Sequence, residues 1–255
     1  MPLHKNKIDA EYLREHCGDY WSDITVFDQI DSTNSWLKNQ KNSPAVCLAE
    51  SQTQGRGRNG NHWLSPDAEN IYLSFNWVFE SKPQHLPLLS LCIGVVIAET
   101  IESLGLGGHG IKWPNDLYWM HKKLGGILIE TSSASSEVIV GIGINANASV
   151  LDDVDQPWTS LSEIAGVQID RNQFLRELLK ALRVAMVSFP ALKVDELKSH
   201  WAKWDLIQGK AISFLQDGEA RNGIARGIDD SGYLLVEMGS GEIKVFNTTI
   251  SKVRW

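Results

Sequence analysis

Apolar and polar positions along the chain follow two periods, and the places where the period changes outline its elements. Residues 8–16 and 32–40 read as short helices, the second preceded by Asp31-Ser32-Thr33, which offers N-cap chemistry. Ala45 to Glu50 is a compact apolar run and predicts a strand; Asn70 to Phe79 alternates with a two-residue period and predicts a strand with one buried face. Pro87 to Leu104 predicts a helix stopped by Gly105, Gly107 and Gly108, and Ile111–Trp113 a short strand broken by Pro114. Leu117–Met120 and Leu124–Thr131 predict the arms of a hairpin, with His121-Lys122-Lys123 as its tight connection. Val138–Ile144 predicts one more buried strand. Helical spacing returns in residues 171–189, through Phe174, Leu175, Leu178, Leu179 and Leu182, and again in 194–204. Beyond Gln208 the character changes. Ala211–Leu215, Gly223–Ile228, Tyr233–Val236 and Ile243–Phe246 are short strands divided by polar turns, which suggests a small barrel and a boundary near residue 207.

Composition narrows the function classes. The 255 residues fit one large domain, or one large and one small, and 43% hydrophobic content supports a sizeable core. A formal net charge of -7 argues against a general nucleic-acid binder and disfavours anionic membranes. Cys17, Cys47 and Cys92 are odd in number and widely spaced, so neither a disulfide framework nor a structural zinc site is expected. No His-x-x-x-His pair occurs among the seven histidines. Met1 to Tyr20 lacks the apolar core of a signal peptide. The longest apolar stretch, Leu86 to Ala98, is too short for a membrane span and reads as a buried helix. A cytoplasmic protein is the expectation.

Against this acidic background Gly55-Arg56-Gly57-Arg58-Asn59-Gly60 stands out. Its glycines permit close backbone approach to a ligand, and its arginines carry planar charged forks that match a carboxylate or phosphate. The alternative is a solvated turn. Three other segments carry chemistry: Asp31-Ser32-Thr33-Asn34, Lys112-Trp113-Pro114-Asn115-Asp116, and Lys123-Leu124-Gly125-Gly126 with Gly141-Ile142-Gly143-Ile144-Asn145. Each has a plain structural reading too: a helix cap, a turn, a bulge that relieves packing. Gly141-x-Gly143 lies within a strand and opens no helix, which excludes a dinucleotide fingerprint.

In this combination and order the segments resemble the biotin protein ligase family, from about Asp31 to Asn147, more weakly through the helices to Trp204, and again at Arg226-Gly227-Ile228-Asp229. The resemblance implies an α+β fold: a mixed-sheet catalytic domain flanked by helices, of the class II synthetase type, over 1–207, then an SH3-like barrel over 208–255. It implies ATP-dependent activation of biotin to biotinyl-5′-AMP, with Mg²⁺ on the triphosphate. Transfer to one lysine of a biotin carboxyl carrier domain, such as that of acetyl-CoA carboxylase, follows. By the same likeness Ser32, Thr33, Asn34 and Gln52 contact the biotin ring, and Arg56, Gly57 and Arg58 form a loop that orders over biotin and the adenylate. Trp63 closes on the adenine side, Asn115 and Asp116 lie near the phosphates and metal, and Lys123 bridges the biotin carboxylate and the α-phosphate. Gly126, Gly143 and Asn145 line the pocket and nucleotide side, and Arg254 matches a nucleotide-side arginine.

Joining a carboxylate to a triphosphate brings two anions together, so fixed positive charge from Lys123 and Arg58 suits the first step. No protein nucleophile and no protein-only metal cage is expected. In the second step Asp116 is a candidate for easing deprotonation of the acceptor amine. Only thirty residues precede Asp31, too few for the helix-turn-helix domain that many relatives carry, so repressor function is expected to be absent. The lid reads Arg58-Asn59-Gly60-Asn61-His62-Trp63, less basic than in several relatives, which leaves monomer and homodimer both open. The nearest rival is a lipoate ligase, which shares the adenylation logic; a non-catalytic binding module is the rival of another class.

Overall fold

The structure is a computed structural model that describes residues 7–41, 43–66, 69–131, 136–151 and 156–255. Seven strands form one sheet. In spatial order they are β1 (Asp23–Ile30), β2 (Ala45–Gln52), β3 (Ile71–Val78), β7 (Glu137–Ile144), β6 (Lys122–Thr131), β5 (Asp116–Trp119) and β4 (His109–Lys112). β1 and β2 are parallel and the other neighbours antiparallel, so the sheet is mixed. A parallel pair needs a crossover. Residues 31–44 supply it and carry helix α2 (Thr33–Leu37), whose N-cap is Ser32, with its hydroxyl accepting from the Ser35 N–H at 3.4 Å. Ile30 of β1 lies beside Gln52 of β2, so helix α2 and the Gly/Arg loop both leave from the same end of this pair.

The two sheet faces are covered differently. Helices α1 (Ala10–Cys17), α3 (Leu89–Ser103), α5 (Arg171–Ser188) and α6 (Val194–Trp204) belong to the main core behind the sheet, which takes in Phe75, Ile127, Val140 and Ile142. The front carries helix α2 and a small cluster of Leu37, Ala45, Cys47 and Ile139. That thin cover leaves room for a site. Apolar helix α3 ends at Ser103, one residue before the predicted Leu104, and by length and composition the segment from Leu86 could cross a membrane. It is instead a core helix here, with Leu89, Leu91, Ile93, Ile97 and Ile101 all buried against the protein. Behind β2, Arg171 and Glu50 form a fully buried ion pair at 2.8 Å, and Arg171 also donates to the Asn70 carbonyl.

A second, antiparallel sheet has the order β11 (Ile243–Phe246), β10 (Leu234–Met238), β9 (Glu219–Ile228), β8 (Ala211–Gln216), β12 (Ser251–Arg254). Its buried side chains, among them Phe214, Ala225 and Val236, are continuous with the main core. The Trp113 indole N–H donates to the Gly232 carbonyl at 2.9 Å and stitches the two sheets together.

Three local expectations need correction. The β5–β6 turn lies at Met120–His121, not at His121-Lys122-Lys123. Both turn residues have positive φ (45° and 65°), the hand that suits a two-residue hairpin, so Lys122 and Lys123 belong to β6. Helix α2 stops at Leu37, short of residue 40. β1 and β12 have no counterpart among the predicted strands.

Candidate active site

The site begins with a strip of sheet that lacks side chains. Gly126 of β6 pairs with Asp116 of β5 on one side and with Gly143 of β7 on the other; Gly141 lies two residues along β7 on the same face. A Cβ on Gly143 would stand 2.5 Å from the Trp63 indole, and one on Gly126 would stand 3.4 Å from it. A Cβ on Gly141 would collide with the Asn34 carboxamide. These glycines therefore form a bare floor on which Asn34 and Trp63 rest.

A β-bulge places the lysine. Leu117 pairs with Gly125 but Tyr118 pairs with Lys123, so Leu124 is an extra residue in β6. Strict alternation would put Lys123 on the back face with Gly125 and Ile127. The extra residue returns it to the front, where Nζ lies 3.0 Å from the Asp116 carboxylate and 5.4 Å from the Trp63 ring centroid. Its main chain is braced: Lys123 N–H donates to the Pro157 carbonyl, and Asn145 Nδ2 donates to the Lys123 and Thr159 carbonyls at 3.4 and 3.1 Å. Asn145 thus stands behind the lysine backbone.

Residues 55–63 lie over this floor as a lid. Asn59 adopts φ 56°, and Gly57 N–H donates to the Asn61 carbonyl at 2.7 Å, which folds the tip back on itself. Arg58 reaches Asn115 Oδ1 at 2.9 Å and the Thr248 carbonyl of the second sheet at 3.3 Å. Burial holds its pKa below the ordinary arginine value, with the nearby Asp116 charge opposing that shift. Arg58 and Lys123 thus reach neighbouring residues, Asn115 and Asp116. Arg56 points the other way, to Glu130, across a cavity of ≈ 610 Å³ lined by lid residues 54–62 and by 128–130.

The polar residues beside α2 are buried and joined to one another. Thr33 N–H donates to Gln52 Oε1 at 2.9 Å, and the Thr33 hydroxyl lies 3.1 Å from the same oxygen. Its hydroxyl also meets Ser74 Oγ at 2.7 Å, and Ser74 Oγ donates to Asn34 Oδ1 at 2.5 Å. Such a group of donors and acceptors set against an apolar strand face can read a small polar ring. The structure brings Thr33, Asn34, Gln52, Gly126, Gly143 and Trp63 around one floor, with Arg58, Asn115, Asp116 and Lys123 at its end. Ser32 serves there as the cap of α2.

Sequence reasoning missed two residues here. Lys112 is half-buried beside Asp116, Lys123 and Arg254, with Nζ 5.0 Å from both the Tyr118 and Trp255 rings. Burial lowers its pKa from the ordinary lysine value; Asp116 opposes this, while Lys123 and Arg254 add to it. Position alone was a clue, since Lys112 and Asp116 face each other across the β4–β5 turn. Glu130 gathers Arg56, Lys38 and Asn34, and nothing in the strand run around it marks it out.

Comparison with known proteins agrees with this geometry. The model for the biotin/lipoate A/B protein ligase family matches residues 26–147, and that for the biotin protein ligase C-terminal domain matches 208–248. The bifunctional ligase/repressor BirA of Salmonella typhimurium is 39% identical over 96% of this chain and 78% of its own. A biotin–[acetyl-CoA-carboxylase] ligase of Mycobacterium tuberculosis is 31% identical over 93% of each chain. The biotin protein ligase of Aquifex aeolicus in complex with biotin and ATP superposes with a TM-score of 0.80 at 30% identity, covering 92% of this chain and 99% of that one. A mixed sheet with a glycine floor, a Gly/Arg lid and a second small sheet is the arrangement these protein ligases share with this chain. This chain belongs to the biotin/lipoate protein ligase family, in its biotin protein ligase branch.

Proposed function

We infer that this protein activates biotin with ATP and transfers it to a lysine of a biotin carboxyl carrier domain. The observation that carries this reading is the placement of Arg58 on Asn115 and of Lys123 on Asp116, two neighbouring residues at the end of a side-chain-free floor. In the first step a biotin carboxylate oxygen attacks the α-phosphorus of ATP; the bond to the β-phosphate breaks and pyrophosphate leaves. Lys123 and Arg58 supply positive charge where the two anions meet, and each charged hydrogen bond is worth about 1.5–3 kcal/mol. Held in one cleft, the reactants gain up to about 7–11 kcal/mol from orientation. Trp63 on the bare glycines provides a flat surface for the adenine, and Thr33, Asn34 and Gln52 read the biotin ring. Mg²⁺ would arrive bound to the triphosphate oxygens.

In the second step the acceptor lysine's amine attacks the acyl carbon, AMP leaves, and a proton must depart from nitrogen. Asp116 is the carboxylate placed to accept it. Until then the lid keeps water from the mixed anhydride. The setting we propose is the cytoplasm, where carrier domains of acetyl-CoA carboxylase are substrates. Pyrophosphate–ATP exchange tests the reading: exchange that depends on biotin and is not supported by lipoate is expected. Exchange driven equally by lipoate, or none with either acid, overturns it.

A further inference from the structure

Glu130 sits at the end of β6 and collects three partners. Arg56 donates to it through both terminal nitrogens, at 3.1 and 2.7 Å, Lys38 at 2.9 Å and Asn34 Nδ2 at 2.9 Å. Burial would raise its pKa; hydrogen bonds from Asn34 and Lys38 and the Arg56 and Lys38 charges outweigh this and hold it below the usual glutamate value. We propose that Glu130 is a positioning residue that docks the lid and, through Asn34, fixes which pocket atoms donate and which accept. The proposal rests on the biotin-activating function inferred above and adds a residue to it.

An ionised carboxylate only accepts hydrogen bonds. Glu130 therefore compels Asn34 to turn its NH₂ toward it and its carbonyl oxygen toward Ser74. Ser74 must then donate to Asn34, which leaves its lone pairs facing Thr33. Next to them Gln52 Oε1 accepts from the Thr33 main-chain N–H, so its NH₂ points the other way and donates to Ser65 Oγ at 3.0 Å. Ser65 donates in turn to the Trp63 carbonyl at 3.1 Å. One carboxylate thus sets the hydrogen-bond sense of Asn34, Ser74 and the Thr33 hydroxyl and, through Arg56, holds one end of the cover. A ligand that needs a defined order of donors and acceptors, as a cyclic urea does, depends on both.

The experiment uses the full chain and E130Q, whose carboxamide keeps the shape but can present either a donor or an acceptor. Three readouts are compared: trypsin cleavage after Arg56 and Arg58 without ligand, the KM for biotin in exchange, and the rate at which pre-formed biotinyl-AMP escapes. Faster lid cleavage, a KM raised about ten-fold or more and faster escape are expected, with kcat changed much less, because charged hydrogen bonds are the ones lost. K38M, which removes a partner of the same carboxylate outside the lid, is expected to keep wild-type escape. Wild-type cleavage and wild-type escape in E130Q overturn the proposal. If E130Q fails to fold, S74A decides: it leaves Glu130 and Arg56 intact and cuts the hydrogen-bond path between Asn34 and Thr33, so weaker biotin binding with unchanged lid cleavage is expected, and unchanged affinity overturns the proposal. Absence of biotin binding by the wild-type protein would sink the function itself, while the ligand-free cleavage comparison would still judge the docking.

Discussion

Lys123 is the residue whose placement depends most on detail. It occupies the front of the sheet only because β6 carries one residue more than its partner, and it is pinned there by Asp116 and by the Asn145 amide behind it. Lys123→Ala removes the ammonium and leaves the ring pocket intact. Adenylate formation is expected to fall by on the order of 10²–10³, with biotin binding weakened far less; single-turnover pyrophosphate release beside a biotin titration measures the split. His109 makes a different kind of residue-scale statement. Its Nε2 donates to the Ala98 carbonyl at 2.8 Å, its ring stacks on Trp204, and Nδ1 is buried with no hydrogen-bond partner. Burial lowers its pKa below 6.5, so the folded protein holds the ring neutral where the unfolded chain takes up a proton. That contribution to stability is complete above about pH 6.5 and is lost as the pH falls towards the folded-state value, at up to about 1.4 kcal/mol per pH unit. Urea midpoints at pH 7, 6 and 5 are expected to decline more steeply in the wild type than in His109→Phe.

The elements show what a sequence discloses and what it hides. Helix α5 was legible because its apolar positions recur on one face, and the lid was legible because arginines between glycines have few structural uses. β1 was not: Asp-Ile-Thr-Val-Phe-Asp-Gln-Ile is the sheet's edge strand, with most of its positions partly exposed, so no clean alternation marks it. β12 has four residues, too few to show a period. The β5–β6 turn was misplaced because Met120 and His121 are poor candidates for positive φ, and the polar lysines beside them look more like a turn. The same strain gives an element-scale test. Met120 is 68% exposed at φ 45°, so Met120→Asn is expected to raise stability by about 0.5–1 kcal/mol. A thermal melt checks it, and a lowered midpoint would speak against a strained turn. Lys112 received no role although its segment was singled out, because Lys123 and Arg254 reach it from other elements, and Glu130 stayed hidden because Arg56, Lys38 and Asn34 all come from outside β6.

At the scale of the whole molecule the second sheet is part of the site. Trp113, inside the Lys-Trp-Pro-Asn-Asp segment, is tied to Gly232, and Arg58 in the lid is tied to Thr248. Trp255 packs against Tyr118 and His121 and lies within reach of Lys112. The lid is thus held at Arg56 by the catalytic sheet and at Arg58 in part by the C-terminal one. Thr248→Ala is expected to leave adenylate escape within about two-fold of wild type, since the main-chain carbonyl is still present. Two glycines inserted after Asn247 are expected to accelerate escape, as timed by mass spectrometry of the released intermediate. The contrast follows from the anchor being a peptide oxygen. Any amino acid at position 248 brings the same oxygen, so a substitution there leaves the cover fastened, whereas added length moves the oxygen itself out of reach.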